Sequence, residues 1–426
     1  MNARRGLWML VTLLAAVVLL AAGEKTVEVP AATAPAPATS NGTTPVGEKT
    51  VEVSTPTAPA PAPAVRVEAE RPRVEVVFVL DTTGSMGGLI QAAKEKIWAI
   101  ANTLVSAKPT PEIKMGLVAY RDRGDAYVTK HTALTNDLDA VYKELMGYQA
   151  QAGGDTPESV NQALHEAVTM MQWSTDPKVY RVIFLVGDSP PHMDYADDVK
   201  FPVSCELAAK NGIIVNTIQC GTTDTTTPVW QQIALKSEGR YFRVEQSGGA
   251  ILATTPFDAK LAALATELDG TRVYYGERTD REVLEKRLGV AGEIDKTAST
   301  SAKARRAELM AKPEAATMTF FGKSELNAEV AAGRVKLEDV KTDDLPEKMQ
   351  KMTPEERKRF VEENIAKRKA VQEEIRKLSE QRQQYLKDEI AKRADGGRNS
   401  LGGQVYDTIR EQARKKGIEY TDGPSH

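Results

Sequence analysis

Residues 74–86 read VEVVFVLDTTGSM. Residues 74–80 are a nearly continuous apolar run, the pattern of a strand covered on both faces. The run ends in Asp81, and a hydroxyl follows at Thr83 and again at Ser85. In an open parallel sheet, ligands bind beyond the carboxyl ends of the strands. Oxygen side chains at alternate positions of such a loop can be turned toward one point. A site built from oxygen suits a hard cation such as Mg²⁺. Gly84 is expected to allow the tight turn.

Working outward, residues 73–270 alternate strand-like and helix-like segments. Helical spacing runs over 89–105, 138–146, 158–171, 203–210, 229–236 and 257–268. Strand patterns fall at 113–120, 127–134, 179–186, 213–220 and 240–244, with 127–134 expected as an antiparallel edge. Alternation of this kind predicts an α/β fold, a doubly wound and mostly parallel sheet flanked by helices. Two more loops border this sheet edge. Residues 153–158 read GGDTPE and 187–192 read GDSPPH. Asp188 leaves a central strand as Asp81 does. Asp155 and Thr156 offer a carboxylate and a hydroxyl, and Pro157 suits a first helical position, which would make Thr156 an N-cap.

Strand–D-x-T-x-S, a loop threonine about 70 residues on and a strand–Asp about 30 further together resemble the von Willebrand factor type A (VWA) domain of bacterial exported proteins. The segments VVFVLDTTGSM (76–86) and GLVAYRDRGD (116–125) carry the same likeness. The resemblance implies a metal-ion-dependent adhesion site (MIDAS). Thr83 and Ser85 would ligate the metal through hydroxyls, Thr156 would add a third, and Asp81 and Asp188 would act directly or through water. The implied cofactor is Mg²⁺, or Mn²⁺ or Ca²⁺. The implied partner is a protein whose Asp or Glu completes the coordination. Asp155 could replace or assist Thr156, or stand on the ligand rim. In that family the helix here at 257–268 can shift between affinity states.

The flanking regions differ in character. Residues 1–23 combine Arg4 and Arg5, a 16-residue apolar run broken only by Thr12, and small residues before Glu24. That is the layout of a signal peptide and predicts export, to the periplasm or cell surface; an uncleaved anchor, the one route to a membrane, is the alternative. Residues 24–72 repeat EKTVEV and are rich in Pro, Ala and Thr, as a disordered linker is. Residues 271–353 are mixed and partly helical. Residues 354–394 form one long charged amphipathic helix with Val361, Ile365, Val371, Ile375, Leu378, Tyr385 and Ile390 near one stripe. A coiled-coil seam would contain Asn364, Arg368 and Arg382, so folding back on the chain suits it better than a long dimer. A tail with a short helix, 395–426, closes the chain.

Composition narrows the function. Lys+Arg 56 against Asp+Glu 59 gives a net −3, which argues against nucleic-acid binding by bulk charge. Four His and two Cys exclude a zinc-finger array. Cys205 and Cys220 are placed toward one sheet edge, where a disulfide is conceivable and two buried thiols are the alternative. Arg123-Gly124-Asp125 reads as a turn between strands. Asp194, Asp197 and Asp198 read as a solvated helix start, with a second cation site or the rim of the ligand surface as alternatives. The expectation is a non-enzymatic binding module. Two alternatives stand beside it. One is an envelope scaffold acting through the C-terminal helix, with the metal only stabilising. The other is a Mg²⁺-dependent phosphotransferase resembling the haloacid dehalogenases, with Asp81 as nucleophile. The latter lacks a second carboxylate in GDSPPH.

Overall fold

In the computed structural model, which describes residues 71–420 except 155, 248–253, 323 and 393–400, the apolar run becomes β1 (Arg73–Asp81), buried from Val74 onward. The signal-like segment, nearly all of the linker and Asp155 lie outside the described residues. β1 is followed by α1 (Gly87–Leu104), β2 (Glu112–Tyr120), β3 (Thr129–Thr135), α2 (Leu138–Gly147), α3 (Val160–Thr169) and β4 (Tyr180–Gly187). Then come α4 (Phe201–Lys210), β5 (Ile213–Cys220), α5 (Thr226–Lys236), β6 (Tyr241–Val244) and α6 (Asp258–Asp269). The six strands lie in the order β3-β2-β1-β4-β5-β6. All pairings are parallel except β2 with β3 at one edge. The chain builds outward from β1 to β3, then crosses back to β4 beside β1. The winding therefore reverses between β1 and β4, and a crevice opens beyond their carboxyl ends.

Strand periodicity divides the core. Val76, Phe78 and Leu80 join α1, α2 and α6 on one face of the sheet, where the Phe78 and Phe184 rings stack at 5.6 Å. Val77 and Val79 join α3, α4 and α5 on the other. This division corrects the disulfide reading. Cys220 points into the first cluster and Cys205 into the second, so the sheet separates them and both are free, buried thiols.

The C-terminal half is helical and shares the first cluster. It comprises α7 (Arg278–Thr297), α8 (Thr300–Met310), α9 (Pro313–Ala316), α10 (Leu326–Ala331), α11 (Glu347–Gln350), α12 (Pro354–Ala391) and α13 (Leu401–Arg414). Thr353 and Glu356 form a reciprocal capping box at the start of α12. α8 lies on α1 and α6, and α12 lies on α6, α8 and α10. The two arginines that would spoil a coiled-coil seam are ion-paired here. Arg368 meets Glu325 at 2.6 Å, and Arg382 meets Asp258 at 2.8 Å and Glu308 at 3.1 Å. Arg306 on α8 likewise bridges Asp139 at 2.6 Å and Asp269 at 2.7 Å. Leu386, not Tyr385, continues the buried stripe.

Arg382 is fully buried between two carboxylates of other helices. Removing one partner of such a set leaves uncompensated buried charge. Arg382→Ala should therefore cost about 3–5 kcal/mol, read by urea unfolding of the whole chain. A loss under about 1 kcal/mol, the range of exposed pairs, would show that α12 does not hold α6 in place.

Candidate functional site

Asp81 ends β1 with 0% exposure. Its Oδ1 accepts from the Thr83 backbone N–H at 2.9 Å and the Thr83 hydroxyl at 2.6 Å. Thr83 Oγ1 lies 3.4 Å from Ser85 Oγ. The carboxylate thus folds the loop over itself, and a short 3₁₀ turn at Gly84–Met86 leads into α1. Gly84 is needed for close approach rather than for an unusual backbone angle. Its N–H donates to the Ala152 carbonyl at 3.0 Å, and a Cβ there would stand 2.9 Å from that oxygen. Gly153, at φ +72°, presses on Thr83 from the second loop; its Cβ would come within 2.8 Å of Thr83 Cβ.

The third loop completes the crevice. A Cβ on Gly187 would collide with Tyr120 Oη and stand 3.1 Å from Asp81 Oδ2, so only glycine lets β4 end this close to Asp81. Asp188 follows directly. Its Oδ1 accepts from Ser189 Oγ at 3.1 Å, and its Oδ2 from Gln246 Nε2 at 2.6 Å. Asp81 Oδ2 is buried and has no hydrogen-bond partner among the described residues. Burial, with the neighbouring Asp188 charge adding to it, pushes the Asp81 carboxyl up to about 7.

Thr156 is exposed, in a segment that spans from the first loop to the third. At one end Gly153 packs on Thr83; at the other the Glu158 N–H donates to the Pro190 carbonyl at 3.0 Å, and His192 N–H donates back to Glu158 at 3.1 Å. This bridge occupies the backbone where a helix was expected to begin. α3 starts later, at Val160 after Ser159, so Thr156 is not its N-cap and Pro157 is not its first residue. The acidic cluster is also reassigned. Asp194, Asp197 and Asp198 precede α4 in a loop. Arg123 holds Asp197 and Asp198 at 2.9 Å each, and His192 Nδ1 lies 2.8 Å from Asp194. Arg123-Gly124-Asp125 is a turn between β2 and β3, with Gly124 at φ +93°.

Four residues of this crevice escaped the sequence reading. Glu158 is 2% exposed, and its Oε2 has no hydrogen-bond partner among the described residues. Burial, then Asp81, Asp122, Asp125 and Asp188, push its carboxyl up to about 9. Tyr120 Oη is buried beside Gly187 with no hydrogen-bond partner among the described residues. Gln246, from beyond β6, reaches both Asp188 and the Ser85 carbonyl, the latter at 3.3 Å. Arg121 donates to the Thr82 and Gln149 carbonyls at 3.2 and 2.8 Å and covers the Tyr127 ring. Glu158 stands next to the T-P step and reads there as an ordinary helix-start acid; Tyr120 and Arg121 fall within GLVAYRDRGD, which marks the segment but gives neither a role.

Among the described residues no group of three or more His, Cys, Asp or Glu is placed to hold a metal ion. The crevice offers the carboxyl groups of Asp81, Asp188 and Glu158 and the hydroxyls of Thr83 and Ser85. That donor set fits a hard cation, and the unpartnered, buried Asp81 Oδ2 is an oxygen left for one.

Residues 75–255 match the von Willebrand factor A domain. That segment is a von Willebrand factor A domain, a class that generally mediates protein–protein interaction. A stretch of 119 residues is 26% identical to a putative ariadne-like RING finger protein of Acanthamoeba polyphaga mimivirus, covering 28% of this chain and 11% of that protein. Another, of 120 residues, is 33% identical to von Willebrand factor A domain-containing protein 7 of Rattus norvegicus, covering 28% and 12%. The chain thus spans about a tenth of the length of these curated relatives. Among solved structures, proximal thread matrix protein 1 of the mussel byssus aligns with TM-score 0.32 at 16% identity, over 41% of this chain and 42% of that one. The SpRpn10 VWA domain aligns with TM-score 0.32 at 14% identity, over 42% and 89%.

Asp81 and Glu158 hold protons more tightly folded than unfolded. Their contribution to stability is then full below about pH 4, the ordinary carboxylate range, and is lost as pH rises through about 7 and about 9. In chelator, the melting temperature should fall between pH 5 and pH 9, and Asp81→Asn should flatten the part of the fall centred near 7. An unchanged profile in Asp81→Asn would contradict the raised Asp81 carboxyl.

Proposed function

We propose that the chain is an exported, non-enzymatic binding protein whose crevice holds Mg²⁺, or Mn²⁺ or Ca²⁺, and through it a protein partner. The observation that carries this reading is the buried Asp81 Oδ2, which has no hydrogen-bond partner among the described residues, beside the Thr83 and Ser85 hydroxyls and Asp188. Asp81, Thr83, Ser85 and Asp188 would hold the ion, with Thr156 and Asp155 supplied by the adjoining loop. The ion would act as a Lewis acid at an open position that a partner's Asp or Glu fills. The chain's own residues do the positioning. Asp81 fixes the Thr83 hydroxyl, and Gly153 and Gly187 let the three loops close on one another. Gln246 orients Asp188.

Complete burial of Asp81 favours coordination over attack on a substrate. Among the described residues, the buried stripe of α12 is already used against α6, α8 and α10, which disfavours a separate scaffold role for that helix. Export rests on the apolar segment at residues 7–22 and its small-residue boundary.

Titration calorimetry of the full chain with MgCl₂ and MnCl₂ tests the site. Wild type should bind, Asp81→Ala should not, and Thr83→Val should bind more weakly. Absence of cation binding in wild type would sink the reading. Capture of a partner from envelope extract should be lost in chelator; cation binding with no cation-dependent capture would favour a purely stabilising ion.

A further inference from the structure

At the opposite edge of the sheet, beyond the amino ends of β4 and β5, lies an open cleft of about 700 Å³ bordered by the ends of α3 and α4. That volume is in the range of small-molecule sites. Its charged lining is Arg181, Lys210 and Lys416, with no carboxylate among the described residues that line it. Trp173 forms a half-buried aromatic wall.

Arg181 is only 7% exposed. Its Nη1 donates to the Ser174 carbonyl, but its buried Nε meets no acceptor among the described residues. A buried donor left unmade is costly, and the carboxylates nearby are engaged elsewhere. Glu75 lies opposite Arg181 in register, yet it accepts from Ser174 N–H at 2.8 Å and faces Lys114 at 3.7 Å. Asp176 is paired with Arg73. Gly212 leaves room for the guanidinium: at φ +64°, a Cβ there would stand 3.1 Å from Arg181 Nη2. Lys416 is held over the cleft by donating to the Pro177 carbonyl at 2.9 Å.

We propose that this cleft is a second ligand site, taking a small organic oxyanion, a phosphate or a carboxylate on a flat apolar body. Arg181 supplies a guanidinium charge at the cleft wall, which suits an oxyanion. Lys210 and Lys416 add charge at the mouth, and Trp173 stacks against the body of the ligand. Arg181 lies near the start of β4 and Asp188 just past its end, seven residues on and roughly 23 Å away, so the cleft is distinct from the crevice at the other end.

The test uses the full chain with phenyl phosphate, benzoate and inorganic phosphate, followed by tryptophan emission. Trp98 and Trp230 are buried, so Trp173 is the reporter among the described residues, and Trp173→Phe should abolish the response. Saturable binding of phenyl phosphate or of benzoate is expected, and which of the two binds more tightly identifies the oxyanion. Inorganic phosphate should bind more weakly than the preferred aromatic probe. Arg181→Gln should weaken binding at least about tenfold. The exposed double variant Lys210→Ala/Lys416→Ala should also weaken it severalfold without changing the melting temperature, and it decides the matter should Arg181→Gln fail to fold. No saturable response to any probe at millimolar concentration, or unchanged affinity in the double variant, would overturn the proposal.

Discussion

A carboxylate with no solvent exposure must be offset by hydrogen bonds, by a proton or by a cation. Among the described residues, Asp81 has hydrogen bonds for one oxygen and none for the other. Much of the crevice follows from that imbalance. Thr83 is drawn in to serve Oδ1, which fixes the turn and sets Ser85 beside it. Gly187 is obligatory because Oδ2 and Tyr120 occupy the space a side chain would need. Asp188 arrives on the adjacent strand and raises the local negative charge, which the Gln246 amide only partly answers.

The same theme of offset charge organises the other half of the molecule, with opposite means. The helical region meets the sheet domain through arginines sunk between carboxylates: Arg306 with Asp139 and Asp269, and Arg382 with Asp258 and Glu308. These pairs sit within or beside the apolar cluster that also contains Phe78, Leu261 and Ile375. Such pairs add less net stability than apolar packing would, but they are strict about which helix faces which. α6 is thereby given one register against α8 and α12.

What was legible in the sequence was what local pattern dictates. The run at 74–80 specified a central strand because both its faces are covered, and the spacing of Asp81, Thr83 and Ser85 marked a strand-end loop. What was illegible depended on partners far along the chain. Gln246 and Tyr120 reach Asp188 and Asp81 only through the order of the strands. Arg368 and Arg382 looked like flaws in an apolar stripe, since nothing near them names Glu325 or Asp258 as the answering charge. The cysteines were placed at one sheet edge, but the period of two in β5 decides the face. Cys220 falls on the side of Ile218, while Cys205 falls with Val215. Thr156 reads as a cap in the sequence because nothing local announces the bridge between Glu158 and Pro191.

The pairing of Arg382 with Asp258 spans 124 residues. A ribosome working from the amino end makes all six strands and α6 well before it makes the arginine that answers Asp258. Until then, among the described residues, Thr255 alone donates to Asp258, and α6 is covered by α8 but not by α12. The sheet can pair early, but α6 gains its α12 layer only from a segment made 124 residues later.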